Sequence, residues 1–299
     1  MRERIPRESD FTLSSSEHPQ FDQEAPIAAE THDVGADPYG PHAAPGSDLA
    51  AAPTPAPPIE DPVWNAWDVL VVVFLTLIAM VVFPLGLAGL ARILFYPHTG
   101  IIDLLQQKPI LALGAQLFID AAWAASIFLL VEGKYEVPFW NAIRWNWPKS
   151  KWMMLAFGVA TFIVLATLGN FLPMPKETPF EKLFEQTRDA YLLAILAVTV
   201  APFTEELFFR GFLYPVLAKY LGAGWGVFLA AVPFALLHLP QYGFSWGIIV
   251  VILGVGIVCG VVRAATKSVG ASFLVHAGYN GAQMLIAVVY THGFTRAPK

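Results

Sequence analysis

Residues 69–91 read VLVVVFLTLIAMVVFPLGLAGLA, 23 consecutive residues without a charge. Roughly 20 apolar residues cross a bilayer as a helix, so this run alone commits the chain to a membrane. The pattern then recurs. Further apolar stretches lie at Pro109–Val131, Trp152–Leu172, Tyr191–Leu217, Trp225–His238, Phe244–Val262 and Gly270–Tyr290, the fifth of them short. The expected fold is all-α, a polytopic membrane helix bundle of seven or eight transmembrane helices. Pro84 and Pro233 fall inside spans, where membrane helices tolerate a kink. Trp140, Trp145, Trp147 and Trp152 gather around Arg144, Lys149 and Lys151, the pattern of an interfacial segment with indoles at headgroup level.

Composition agrees. Of the 299 residues 56% are hydrophobic and 14% charged, where a soluble domain carries about 25% charged. An ordinary soluble enzyme is excluded. The single cysteine, Cys259, excludes an internal disulfide framework and a Cys-rich zinc module. Residues 1–60 hold 11 of the 23 acidic residues, 3 of the 18 basic ones and 10 of the 24 prolines. Such a segment buries too little apolar surface to offset its ordering entropy. The chain therefore divides into a disordered acidic Pro/Ala-rich tail (1–62), a transmembrane domain (63–292) and a short C-terminal tail (293–299). The first tail lacks the apolar core of a signal peptide. Basic residues divide evenly between the two sides, so charge does not orient the bundle. No internal repeat is visible of the kind that builds transporters.

The informative residues are the polar ones inside apolar spans, because an ionisable group there is costly. The fourth span contains APFTEELFFRGFLY at 201–214, with Glu205, Glu206 and Arg210. The fifth ends in FALLH at 234–238, and the seventh contains HAGYN at 276–280. Adjacent helical residues point about 100° apart, so the two glutamates serve different places. Glu206 and Arg210 are spaced i, i+4 with the acid first, the favourable order for an ion pair, which makes the pair structural support. Glu205 has no partner on its own helix. The turn signal Leu221-Gly-Ala-Gly224 lies midway between residues 205 and 238. Two antiparallel helices around that turn would put Glu205 and His238 at one depth. His276 and Asn280 share one helix face and start near the same end of the bundle.

A carboxylate and an imidazole at one depth can activate a water. A His and an Asn side by side can donate to a developing oxyanion. The set Glu205, His238, His276 and Asn280 suits peptide-bond hydrolysis without a nucleophilic Ser or Cys. A divalent metal such as zinc, held by Glu205, His238 and His276 with water fourth, also fits. No other cofactor is expected. Asp120, one turn after Gln116, reads as a buried helix–helix hydrogen bond. Gly254, Gly256 and Gly260 read as sites of close helix packing.

Together, Glu-Glu-x-x-x-Arg at 205–210, Phe-x-x-x-His at 234–238 and His-x-x-x-Asn at 276–280, in that order on separate apolar helices, resemble the three motifs of the CPBP (Abi) family of intramembrane proteases. That family contains type II CAAX prenyl endopeptidases and bacteriocin-processing or immunity proteins. The resemblance covers about residues 150–291. It implies an all-helical fold with a cavity opening inside the bilayer. It implies proteolysis by water, with Glu205 and His238 activating it and His276 and Asn280 forming the oxyanion hole, by either a metalloprotease or a glutamate-dependent route. Expected partners are membrane lipid and a protein or peptide substrate, lipidated or membrane-embedded, with no nucleic acid. The expected location is a bacterial plasma membrane. Two other functions compete: a non-proteolytic scaffold or immunity-type member of the same family, and a proton-coupled transporter.

Overall fold

A computed structural model describes residues 60–175, 178 and 187–295. The acidic stretch before Glu60 and residues 296–299 lie outside the described residues. Among those described, the secondary structure is helical, with no strand.

Helix α1 (Ala66–Leu94) starts at a capping box: the Asn65 side chain accepts from the Trp67 and Asp68 amides, and the Asp68 carboxylate accepts from the Asn65 amide. Short α2 (Ile101–Gln107) leads into α3 (Pro109–Phe128), which runs on through a π turn at Leu129–Lys134. Asp68 takes Lys134 and Tyr135 at 2.5 Å each, tying the start of α1 to the end of that turn. After short α4 (Phe139–Ala142) comes α5 (Lys151–Gly169), capped by the Ser150 hydroxyl. Between α4 and α5, Trp145 packs against Trp140, Trp147, Phe203 and Phe273. Three of the four expected indoles cluster and also bind two later helices, whereas Trp152 is 82% exposed outside these ring contacts.

The second half carries the motifs. Helices α6 (Thr187–Val198) and α7 (Val200–Glu206) lead into a π segment, Leu207–Leu213, and then α8 (Tyr214–Leu237). Helices α9 (Trp246–Thr266) and α10 (Val269–Tyr290) complete the bundle, α10 capped by Ser268. Helix α1 packs along α3, α5 along α10, and α8 along α9.

Among the described residues, six stretches are long and apolar enough to cross a membrane: Ala66–Leu94, Pro109–Lys134, Lys151–Gly169, Asp189–Leu237, Trp246–Thr266 and Val269–Tyr290. The seven expected spans map onto these six because the fourth and fifth share the 49-residue stretch Asp189–Leu237. That stretch doubles back at Gly222, whose φ of +80° and ψ of 163° belong to a region that is essentially glycine-only. Beyond the turn, Gly226 lies against Ala218: a methyl on Gly226 would sit 2.9 Å from the Ala218 nitrogen. In an unbroken helix residues eight apart are separated by about 12 Å.

The apolar residues face outward as well as inward. On α1, Leu70, Phe74, Ile78 and Val81 are exposed while Thr76, Ala79, Ala88 and Ala91 are buried. Small residues at the helix interface and large apolar ones outside suit a helix whose solvent is lipid. The chain is an integral membrane protein.

Candidate functional site

Glu205 is the next-to-last residue of α7, and the π segment begins two residues later. Widened turns of this kind recur at functional sites. The predicted rotation between the two glutamates is present: the Glu205 side chain is 20% exposed, whereas that of Glu206 is completely buried. Glu206 Oε1 lies 2.8 Å from Arg210 Nη1, and Arg210 donates its other Nη to the Gly256 carbonyl on α9 at 2.8 Å. Glu206 Oε2 accepts the Ser272 hydroxyl of α10.

The doubling back at Gly222 brings His238 to Glu205, with 3.8 Å between Nε2 and Oε1. His276 reaches the other oxygen, Nε2 to Oε2, at 3.6 Å. The sequence left that third approach open, and α10 provides it. These separations are longer than a direct hydrogen bond. The tautomers follow from the partners on the far side of each ring. His238 Nδ1 lies 2.8 Å from the Phe234 carbonyl, which only accepts, so Nδ1 carries the proton and the Nε2 lone pair faces Glu205. His276 Nδ1 lies 2.9 Å from Glu206 Oε1 and donates to that carboxylate. Asn280, one turn beyond His276, donates through Nδ2 to the Ala197 carbonyl at 2.7 Å. Its second N–H stays available.

Glu205, His238, His276 and Asn280 all line one cavity of about 690 Å³, together with Gln116 and Asp120 from α3. Pockets of this size hold drug-sized ligands or a peptide segment. Asp120 has partners within its helix and across helices: Gln116 Nε2, one turn earlier, donates to it at 2.9 Å, and the Thr204 side chain of α7 interacts with it as well.

Three residues had no role assigned from sequence. Phe234 packs against His238 at 5.0 Å and His276 at 5.6 Å between ring centroids, and the Arg210 guanidinium lies 4.6 Å over its face. The signal was there, since Phe234 precedes His238 by one turn and shares its face. Ser272 precedes His276 by the same interval. Cys259 is buried, and its only signal is proximity in space. Glu206, Cys259 and His276 are the described residues whose ligand atoms lie within 4.8 Å of one another as a set. They do not fit a metal ion: both Glu206 oxygens already hold donors, and the Arg210 guanidinium stands where a second cation would be repelled. For Glu205, His238 and His276 the donor chemistry suits zinc, but the histidines approach opposite oxygens of Glu205 and the three do not close as tightly.

All three motif helices fall within one stretch of chain. Residues 187–282 match the family model for Rce1-like type II CAAX prenyl endopeptidases. This is the CPBP family that the motifs resemble, and it consists of membrane proteases. The Rce1-like stretch is about a third of the chain. It contains all four of Glu205, His238, His276 and Asn280, together with the Glu206–Arg210 pair. No curated protein and no solved structure matches the chain.

Proposed function

We propose that the chain is an intramembrane endopeptidase that hydrolyses a peptide bond with water activated by Glu205 and His238. The observation that carries this reading is the convergence of His238 and His276, from separate helices, to 3.8 and 3.6 Å from Glu205 on the wall of one cavity. A water beside Glu205 donates one proton toward Oε1 and its other hydrogen bond to the lone pair on His238 Nε2. Glu205 takes the first proton as the oxygen attacks the scissile carbonyl carbon. The negative charge on the carbonyl oxygen is met by His276 Nε2 and the free N–H of Asn280. The Nδ1 contact with Glu206 holds the His276 ring with Nε2 turned toward Glu205. The carbon–nitrogen bond then breaks, and the proton held by Glu205 passes to the leaving nitrogen.

Membership of the matched stretch in a CAAX-protease family makes a prenylated CAAX peptide the first substrate to try. The test is cleavage by protein reconstituted in vesicles, with and without a chelator. Glu205→Gln and His238→Ala should each lower kcat by at least about 100-fold, the scale of losing a general base. Cleavage by wild type should persist in chelator. Full activity in Glu205→Gln would overturn the reading, and chelator-sensitive cleavage with bound metal would transfer it to the zinc route.

A further inference from the structure

Outside the cavity, a heavily charged cluster among the described residues surrounds a residue of the acidic N-terminal segment. Glu60 is 4% exposed. Its carboxylate lies 3.1 Å from Arg263 Nη1, 3.2 Å from Arg144 Nη2 and 3.4 Å from Lys267 Nζ. Arg263 is fully buried, its guanidinium 5.3 Å over the Tyr214 ring. These cations stand at the junction leading into the His276 helix: Arg263 in the last turn of α9, Lys267 in the turn after it, and Arg144 on the loop whose carbonyl takes the Val269 amide at 3.0 Å. Four residues after Glu60, Trp64 is 2% exposed. Its indole stacks on Phe212 at 5.1 Å, and its Nε1 donates to the Phe212 carbonyl at 2.8 Å. Phe212 belongs to the π segment that follows Glu206. Five residues of chain thus hold the π segment that follows the Glu205 helix at one end and the junction that leads into the His276 helix at the other.

Bulk stability is a poor explanation for this arrangement. Moving a carboxylate and a guanidinium out of water costs several kcal/mol per ion, and such a buried pair is weak evidence of net stabilisation. What it supplies is a fixed geometry. We propose that residues 60–64 form a brace, with Glu60 and Trp64 as positioning residues that hold the Glu205 and His276 helices in register for the reaction. The inference rests on the endopeptidase reading above. The neighbouring pair Asp61–Lys219, 2.6 Å apart with Asp61 78% exposed, belongs to the same segment but grips neither helix from within. Exposed pairs of that kind contribute little.

The experiment uses full-length protein in vesicles with a cleavable membrane peptide, and compares Glu60→Gln, Trp64→Phe and Asp61→Asn. Small misplacements of reacting groups cost up to about 100-fold in rate. Glu60→Gln and Trp64→Phe should therefore lower kcat at least about fivefold, with KM within twofold of wild type. Asp61→Asn should match wild type. A merely structural role would lower the yield of folded protein without changing kcat per active site. Amide exchange over residues 207–217 and 269–276 supplies a readout independent of turnover: it should speed up in both brace variants and not in Asp61→Asn. Unchanged kcat in folded Glu60→Gln and Trp64→Phe overturns the brace. If wild type cleaves no peptide, the endopeptidase reading fails instead, and exchange alone decides whether the brace exists. Unchanged exchange then overturns it.

Discussion

At the scale of single residues, a rotation of about 100° separates neighbours on a helix. It divides Glu205, which faces the cavity, from Glu206, which is sealed inside protein. Glu206 serves Arg210, His276 and Ser272 at once. Removing one member of a buried pair leaves an uncompensated charge, which costs about 3–5 kcal/mol. Arg210→Met should lose about that much in reversible unfolding in detergent. The double variant Arg210→Met/Glu206→Leu should recover part of the loss. It should stay inactive in the cleavage assay, because His276 Nδ1 would then have no acceptor. Phe234 is the other shared residue, touching both histidines and Arg210. Phe234→Ala should destabilise by about 3–5 kcal/mol, read in the same unfolding experiment.

At the scale of elements, two glycine-dependent features set the site. The first is the reversal at Gly222, with its φ of +80°. Gly222→Ala should cost about 1–3 kcal/mol in strain and lower activity, since the reversal sets the depth at which His238 meets Glu205. The second is the crossing of α8 and α9. A methyl on Gly256 would lie 3.0 Å from both Ala231 Cβ and Phe234 Cδ1, and one on Gly260 would lie 2.8 Å from Val227 Cγ1. Overpacking typically costs about 1–3 kcal/mol. Gly256→Ala should in addition reduce kcat, because it displaces the ring that packs against both histidines. Comparing kcat for Gly256→Ala and Gly260→Ala tests this: both disturb the same crossing, but only the first touches Phe234. The hairpin and the glycine stripe were both readable in sequence, because turn chemistry and helical spacing are local. The π segment at Leu207–Leu213 was not, since a π turn uses the same residue types as the α-helix it interrupts.

At the scale of the whole molecule, the helix bundle encloses a cavity of about 690 Å³ and Glu60 sits apart from it among Arg144, Arg263, Lys267 and Tyr214. Burial alone would raise the Glu60 carboxyl, but Arg263, and then Arg144 and Lys267, outweigh it and hold the group below its ordinary value of 4.5. A carboxyl lowered on folding contributes stability that is present above the unfolded value and lost as pH falls through the folded one. The unfolding midpoint of wild type should therefore approach that of Glu60→Gln as the pH is lowered past about 4.5, and stand above it near neutrality. A gap that stays constant down to pH 3 would refute the assignment.

Hydropathy and helix geometry were enough to read the membrane helices, the antiparallel pairing about Gly222, the split between the two glutamates and the grouping of His276 with Asn280. Each of these depends on residues close in sequence, or on a turn midway between two of them. The approach of His276 to Glu205, the place of Ser272 and Cys259 around Glu206, and the packing of Phe234 on His276 and Arg210 required the tertiary structure. So did the docking of Glu60 and Trp64. Apolar character tells a helix that it lies in lipid but not which way it is rotated there, because lipid tails are as apolar as a neighbouring helix. Rotation and approach are decided by small residues and buried polar partners on helices far apart in the chain, so only the packed bundle holds that information.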